Sequence, residues 1–185
     1  FNVASTAIDE ARVRADAQAG DMAADEIAVL LAFLKAQAAS QILLPTQSPT
    51  NSSYIIGCDQ LLLIDDHIMA KPESLTEAKQ QLLMLAGKQH KLLSAIVLIR
   101  DGQRIWHHLG RAALTMRKFD DAFADAYIRR VGEAALWSPG AYQIESVGSS
   151  LFARIDGDHF DILGLPLLPL LGILHEHGLR PLEPV

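Results

Sequence analysis

Cysteine is almost missing from this chain. Cys58 is the only one in 185 residues. No disulfide can close within it, which excludes a disulfide-stapled scaffold and suits a reducing compartment. Long apolar runs are also missing. The longest, residues 162–174 (ILGLPLLPLLGIL), is too short for a bilayer and is broken by prolines. No signal-peptide pattern is visible. Positive charge is in deficit, with 16 Lys and Arg against 22 Asp and Glu, a net charge of −6. That argues against a nucleic-acid-coating surface, but a small phosphorylated ligand needs only a few local cations. Familiar signatures are absent too. There is no Gly-x-Gly-x-x-Gly, no P-loop, no Gly-x-Ser-x-Gly and no paired-cysteine zinc site. The histidines have no metal spacing. His107 and His108 point to opposite faces of a strand, and His175 and His177 diverge on a helix. They read as surface or structural residues.

Half of the chain is apolar. That supports one sizeable core, as a single domain or two tightly joined lobes. Residues 21–40 predict a helix, because Ile27, Leu30, Leu31, Leu34 and Ala38 follow helical spacing. Residues 45–53 (PTQSPTNSS) predict a polar loop. Residues 54–56 and 61–64 predict strands joined through Asp59, with a turn at Asp65-Asp66. Ser74-x-x-Glu77 is a capping-box signature for a helix running to Gly87. Residues 92–100 are strand-like, Asp101-Gly102 is a hairpin signal, and QRIWHHL returns from it. Residues 111–117 predict a further strand. Residues 120–131 predict a helix with Phe123, Tyr127 and Val131 on one face. Residues 150–163 predict strand, turn and strand. Pro166 suits the first turn of a last helix ending at Gly178. A hairpin among helices excludes a purely parallel doubly wound sheet.

The stretch most suggestive of chemistry is YIIGCDQLLLIDDHIMAKP, residues 54–72. One carboxylate, Asp59, stands between two apolar runs, and Lys71-Pro72 follows the return. A carboxylate at a strand end can hold a divalent metal or polarise a water, and the lysine can neutralise a phosphate. The plain alternative is a turn aspartate and a solvated lysine. Glu10, in STAIDE, is a second candidate acid whose plain alternative is an exposed residue at the end of an N-terminal strand. Lys35 has a snorkelling alternative on its helix. The loop SPGAYQIESVG, residues 138–148, either brings a polar edge against a base or simply connects two elements.

Together, FNVASTAIDE, LAFLKAQ, IIGCDQLLLIDDHIMAKP, LAGKQHKLLSAIVLIRDG, GAYQIESVGSSLFARIDGDHFDILGLPLLPLL and LHEHG resemble the Maf-like family of nucleoside triphosphate pyrophosphatases. Their order and spacing match over nearly the whole chain. The resemblance implies a mixed α/β, ITPase-like fold with a curved sheet, flanking helices and a cleft between two lobes, residues 1–185 forming one such domain. It implies a hydrolase that splits a nucleoside triphosphate, modified or non-canonical bases included, into the monophosphate and pyrophosphate. Mg²⁺ or Mn²⁺ is the implied cofactor. Asp59 takes the place of the family's proton acceptor, Lys71 that of the lysine in its Lys-Pro pair, and Glu10 that of the acid closing Ile-Asp-Glu. Asp59 and Glu10 are the implied metal ligands. Lys35 matches a lysine of the first helix, where the family's earlier arginine is Leu30. Glu145 matches the polar position of the Gly-Ala-Tyr loop. Gln60 and Glu145 resemble the branch acting on 7-methyl-GTP, whereas Gln143 stands where that branch often has lysine. The family's Ser/Arg phosphate loop and first strand would precede Phe1, so an N-terminal piece is expected outside this sequence. A homodimer in the cytoplasm is implied, with no membrane or nucleic-acid polymer as partner. The competing readings are a non-catalytic nucleotide-binding regulator of septum formation and a generic α/β interaction domain.

Overall fold

The computed structural model describes residues 2–43 and 53–179. The polar loop expected at 45–53 lies outside them except for Ser53. The elements follow in the order α1 (Glu10–Ala19), α2 (Ala24–Leu43), β1 (Tyr54–Ile64), β2 (His67–Met69), α3 (Leu75–Leu85), β3 (Gln89–Arg100), β4 (Gln103–Met116), α4 (Asp121–Val131), β5 (Phe152–Asp156), α5 (His159–Ile162) and α6 (Leu167–Glu176). Short 3₁₀ turns fill Gly132–Leu136, Pro139–Ala141 and Val147–Leu151. One five-stranded sheet runs β2-β1-β3-β4-β5, with β1–β2 and β4–β5 antiparallel. The class is mixed α/β, as the sequence implies.

Local chemistry accounts for most boundaries. Asp65 and Asp66 both take positive φ, 49° and 63°, so the two-residue turn matches the twist of the strands it joins. Asp101 and Gly102 do the same between β3 and β4. The Ser74 side chain accepts the Glu77 N–H at 3.2 Å and opens α3. Asp120 opens α4 in the same way through Phe123 N–H.

Four expectations are corrected. β1 is one continuous strand, so Asp59 lies in its middle and not at a strand tip. Residues 103–116 are likewise one strand. Residues 159–162 form a helical turn where a strand was expected, because Asp158 caps it through Phe160 N–H. On α4, Phe123 is 43% exposed while Ala124, Tyr127 and Ile128 face the core. The helix α1 has no counterpart among the sequence-based elements; Asp9 starts it by accepting Arg12 N–H.

The chain divides into two compact units. The first comprises the described parts of residues 1–60, 94–110 and 164–185, and the second comprises residues 61–93 and 111–163. In the first, α2 is long and apolar enough by length and composition to cross a membrane. Here its small-residue face, with Ala28, Ala32 and Ala36 fully buried, lies against β1 at Gly57. A Cβ on Gly57 would stand 2.2 Å from the Ala32 carbonyl oxygen and 2.7 Å from the Ala36 amide nitrogen. Only glycine permits that approach. The second unit has its own core, including Leu62, Leu82, Leu85, Leu114, Met116 and Leu151.

Candidate active site

The close approach at Gly57 determines what happens two residues later. Ile55, Gly57 and Asp59 are buried, while Ile56, Cys58 and Gln60 on the other face are more exposed. Side chains alternate along a strand, so Gly57 and Asp59 share the face turned to α2. Lys35 sits on α2 beside Ala36 and reaches that face. Its Nζ donates to Asp59 Oδ1 at 2.5 Å and lies 2.8 Å from Glu10 Oε1. Glu10 arrives from the first turn of α1. One ammonium on α2 therefore holds two carboxylates, one from α1 and one from β1.

Asp59 is 7% exposed. Its Oδ2 is buried without a hydrogen-bond partner. Burial is the largest influence on this carboxyl and raises its pKa above the ordinary value. The bond to Lys35 offsets this in part, and Glu10 adds to the rise. For Lys35, burial acts downward, but the bonds to Asp59 and Glu10 outweigh it and the pKa is raised. Lys35 therefore stays charged while the proton affinity of Asp59 moves up. Burial also raises the Cys58 thiol, so its thiolate is disfavoured.

Arg14, one helical turn after Glu10, lies 3.8 Å from Glu10 Oε2, and its charge lowers the proton affinity of Asp59. Sequence reasoning missed it because α1 was not recognised. The Glu10/Arg14 spacing on one helix face was the available signal.

Gln60 does not join this cluster. It points to the opposite face of β1, where its amide donates to Ser94 Oγ at 2.8 Å. Lys71, Gln143 and Glu145 belong to the second unit. Lys71 is exposed after β2. Gln143 is half-buried. It donates to the Ala134 carbonyl at 3.3 Å and lines a cavity of about 290 Å³ with Tyr127, Arg130, Val131 and Ser146. Glu145 is exposed on the same turn.

The cluster can take up a proton and can present oxygen to a cation. Among the described residues no three His, Cys, Asp or Glu side chains gather into a metal cage. Two carboxylates, one with an unpartnered buried oxygen, nevertheless fit an ion of the Mg²⁺ kind. Such ions keep several waters and take further ligands from substrate phosphates.

The chain is similar to known proteins over nearly its whole length. The chain is 45% identical over 178 residues to a "Nucleoside triphosphate pyrophosphatase" of Rhodospirillum rubrum, covering 96% of this chain and 85% of that protein. It is 45% identical over 174 residues to a "7-methyl-GTP pyrophosphatase" of Brucella abortus, covering 94% and 84%. It is 44% identical over 178 residues to a "Nucleoside triphosphate pyrophosphatase" of Caulobacter vibrioides, covering 96% and 85%. Residues 1–177 match the Maf-like protein family. By this match over residues 1–177 and these identities, the chain belongs to the Maf-like family.

Proposed function

We propose that this protein hydrolyses a nucleoside triphosphate to the monophosphate and pyrophosphate. The observation that carries the reading is Asp59, a buried carboxylate with one oxygen held by Lys35 and the other unpartnered. In the proposed reaction Asp59 accepts a proton from the water that attacks the α-phosphorus. The water oxygen forms the new bond to phosphorus, the bond to the bridging oxygen breaks, and pyrophosphate leaves. A raised pKa suits this task, since a general base works best when its pKa approaches the working pH. Lys35 fixes the carboxylate's orientation and keeps it ionised despite burial. Lys71, exposed after β2, neutralises a phosphate oxygen.

Asp59 and Glu10 are the residues that would hold Mg²⁺ or Mn²⁺. Such an ion supplies charge neutralisation on the phosphates when bound. Glu145, Gln143 and Gln60 are assigned to the base. A 7-methylguanine carries positive charge, which an exposed carboxylate such as Glu145 complements, so 7-methyl-GTP is the substrate to test first. A cytoplasmic homodimer goes with this reading, and the apolar Leu168 of α6, 57% exposed, offers surface for pairing. Light scattering that finds only monomer at high concentration would remove the dimer.

The deciding experiment follows pyrophosphate release from 7-methyl-GTP, GTP, dTTP and UTP with Mg²⁺, using full-length protein. Release from at least one, with 7-methyl-GTP fastest, is expected. Nucleotide binding without release would favour the regulator instead.

A further inference from the structure

Gln81 lies on the buried face of α3 and is 7% exposed. Its amide is used at both ends. Nε2 donates to the Ala70 carbonyl at 3.0 Å, and Oε1 accepts the Gly140 N–H at 2.9 Å. Only this orientation serves both, because a carbonyl needs a donor and an N–H needs an acceptor. Burying an amide costs free energy unless its ends are matched, and an apolar side chain would fill the same helix face without that demand. The glutamine is therefore explained by what it holds. Ala70 directly precedes Lys71. Gly140 opens the turn that leads through Ala141 and Tyr142 to Gln143 and Glu145. Its φ is +77°, and a Cβ there would lie 2.8 Å from both Leu62 Cδ1 and Tyr142 Cε1, so the position is suited to glycine. The far side of the turn is fastened as well, since Ser138 Oγ donates to the Tyr142 carbonyl at 2.7 Å.

We infer that Gln81 is a positioning residue for nucleotide hydrolysis: its amide ties the backbone before Lys71 to the Gly140 turn, holding the phosphate-binding cation and the base-facing turn at one spacing. This rests on the function proposed above for Lys71, Gln143 and Glu145. Spacing matters because a misplacement of about 1 Å can cost on the order of 10²-fold in rate. Gln81 itself touches no substrate in this scheme.

Three variants of the full-length protein test it, each followed by pyrophosphate release with Mg²⁺ and by thermal melting. Gln81→Met keeps the length and loses both bonds. Gln81→Glu keeps the acceptor for Gly140 and replaces the donor facing Ala70 with an oxygen. Leu82→Val loosens the same helix and removes neither hydrogen bond. Gln81→Met is expected to lower kcat/KM by about tenfold, with kcat falling and KM rising. Gln81→Glu is expected to act mainly on kcat, through Lys71. Leu82→Val is expected to leave both constants within about twofold at a comparable loss of melting temperature. Combining Gln81→Met with Lys71→Ala is expected to cost less than the product of the two single losses, because one residue acts through the other. Normal kinetics for Gln81→Met would overturn the inference. So would a Leu82→Val variant that loses as much rate, or a double variant that is fully multiplicative. If Gln81→Met does not fold, Gln81→Glu decides. A wild-type protein that releases no pyrophosphate overturns the underlying function and the inference with it, whereas a fully active Lys71→Ala overturns the role of Lys71 and the inference but leaves the function standing.

Discussion

Two buried polar groups, one in each unit, are accommodated in different ways. Asp59 in the first unit and His90 in the second each bury one side-chain atom without a partner, Oδ2 and Nδ1. Asp59 is bonded to Lys35, a full opposite charge. His90 is bonded through Nε2 to the Tyr142 hydroxyl at 2.7 Å and is packed by the rings of Tyr142 and Phe152. Burial lowers its pKa to about 4, and burial likewise keeps Tyr142 protonated. A buried ionisable group must be paired or give up its charge. The second unit takes the neutral solution, with His90, Tyr142 and Gln81 serving as uncharged pegs. The first keeps a charge in place, and a retained buried charge is where proton chemistry is expected.

The sharpest way to break this contrast is Asp59→Asn. The change keeps size and removes the charge. Turnover should fall by about 10²–10⁴-fold, the usual cost of losing a general base. The melting temperature should hold or rise. The raised pKa means that the ionised carboxylate is disfavoured by folding, so its removal relieves a cost. Near-normal turnover would remove Asp59 from the mechanism and make it a buried structural residue like His90.

His90 supplies the opposite pH signature. Its folded pKa of about 4 lies below the ordinary 6.5. Between those values the folded protein binds fewer protons than the unfolded chain, so stability is fully present above pH 6.5 and is lost as pH falls toward 4. The full window corresponds to about 3 kcal/mol. Denaturant melts of wild type and His90→Gln across this range should differ in slope, the variant lacking the decline. Parallel curves would contradict a neutral buried imidazole.

Lys35→Met sharpens the comparison from the cation's side. Two carboxylates then face each other without their shared ammonium. The expected loss is about 2 kcal/mol, less than for a fully buried pair because Lys35 keeps a quarter of its side-chain exposure. The proton affinity of Asp59 should rise further, moving the acid limb of the rate–pH profile to higher pH. An unmoved limb would mean that Lys35 does not control Asp59.

Where sequence reading succeeded, the signal was local. Ser74 capping α3, the Asp101-Gly102 turn and the periodic face of α2 each depend on residues within a few positions of one another. Where it failed, either a distant partner or an unread local cap decided the outcome. Asp59 looked like a strand end because an acid interrupts an apolar run. The strand continues because Lys35, 24 residues earlier, matches the charge. Residues 159–162 looked like a strand by composition, but the cap from Asp158 outweighed β propensity over so short a stretch. Gln81 carried no signal at all, since a glutamine at a core position of a helix is silent until its partners are known.

By itself, the sequence determined that this is a mixed α/β chain of the Maf-like family, with Asp59, Glu10, Lys35 and Lys71 as the residues to examine. Composition, turn chemistry and the order of short segments are properties of neighbours along the chain and survive without coordinates. Tertiary structure alone decided that Gly57 lets α2 approach β1 closely enough for Lys35 to meet Asp59, that α1 brings Glu10 and Arg14 to the same point, and that Gln81 joins Ala70 to Gly140. Each of those contacts depends on distances of about 3 Å between residues far apart in sequence, and such distances follow from packing and not from spacing.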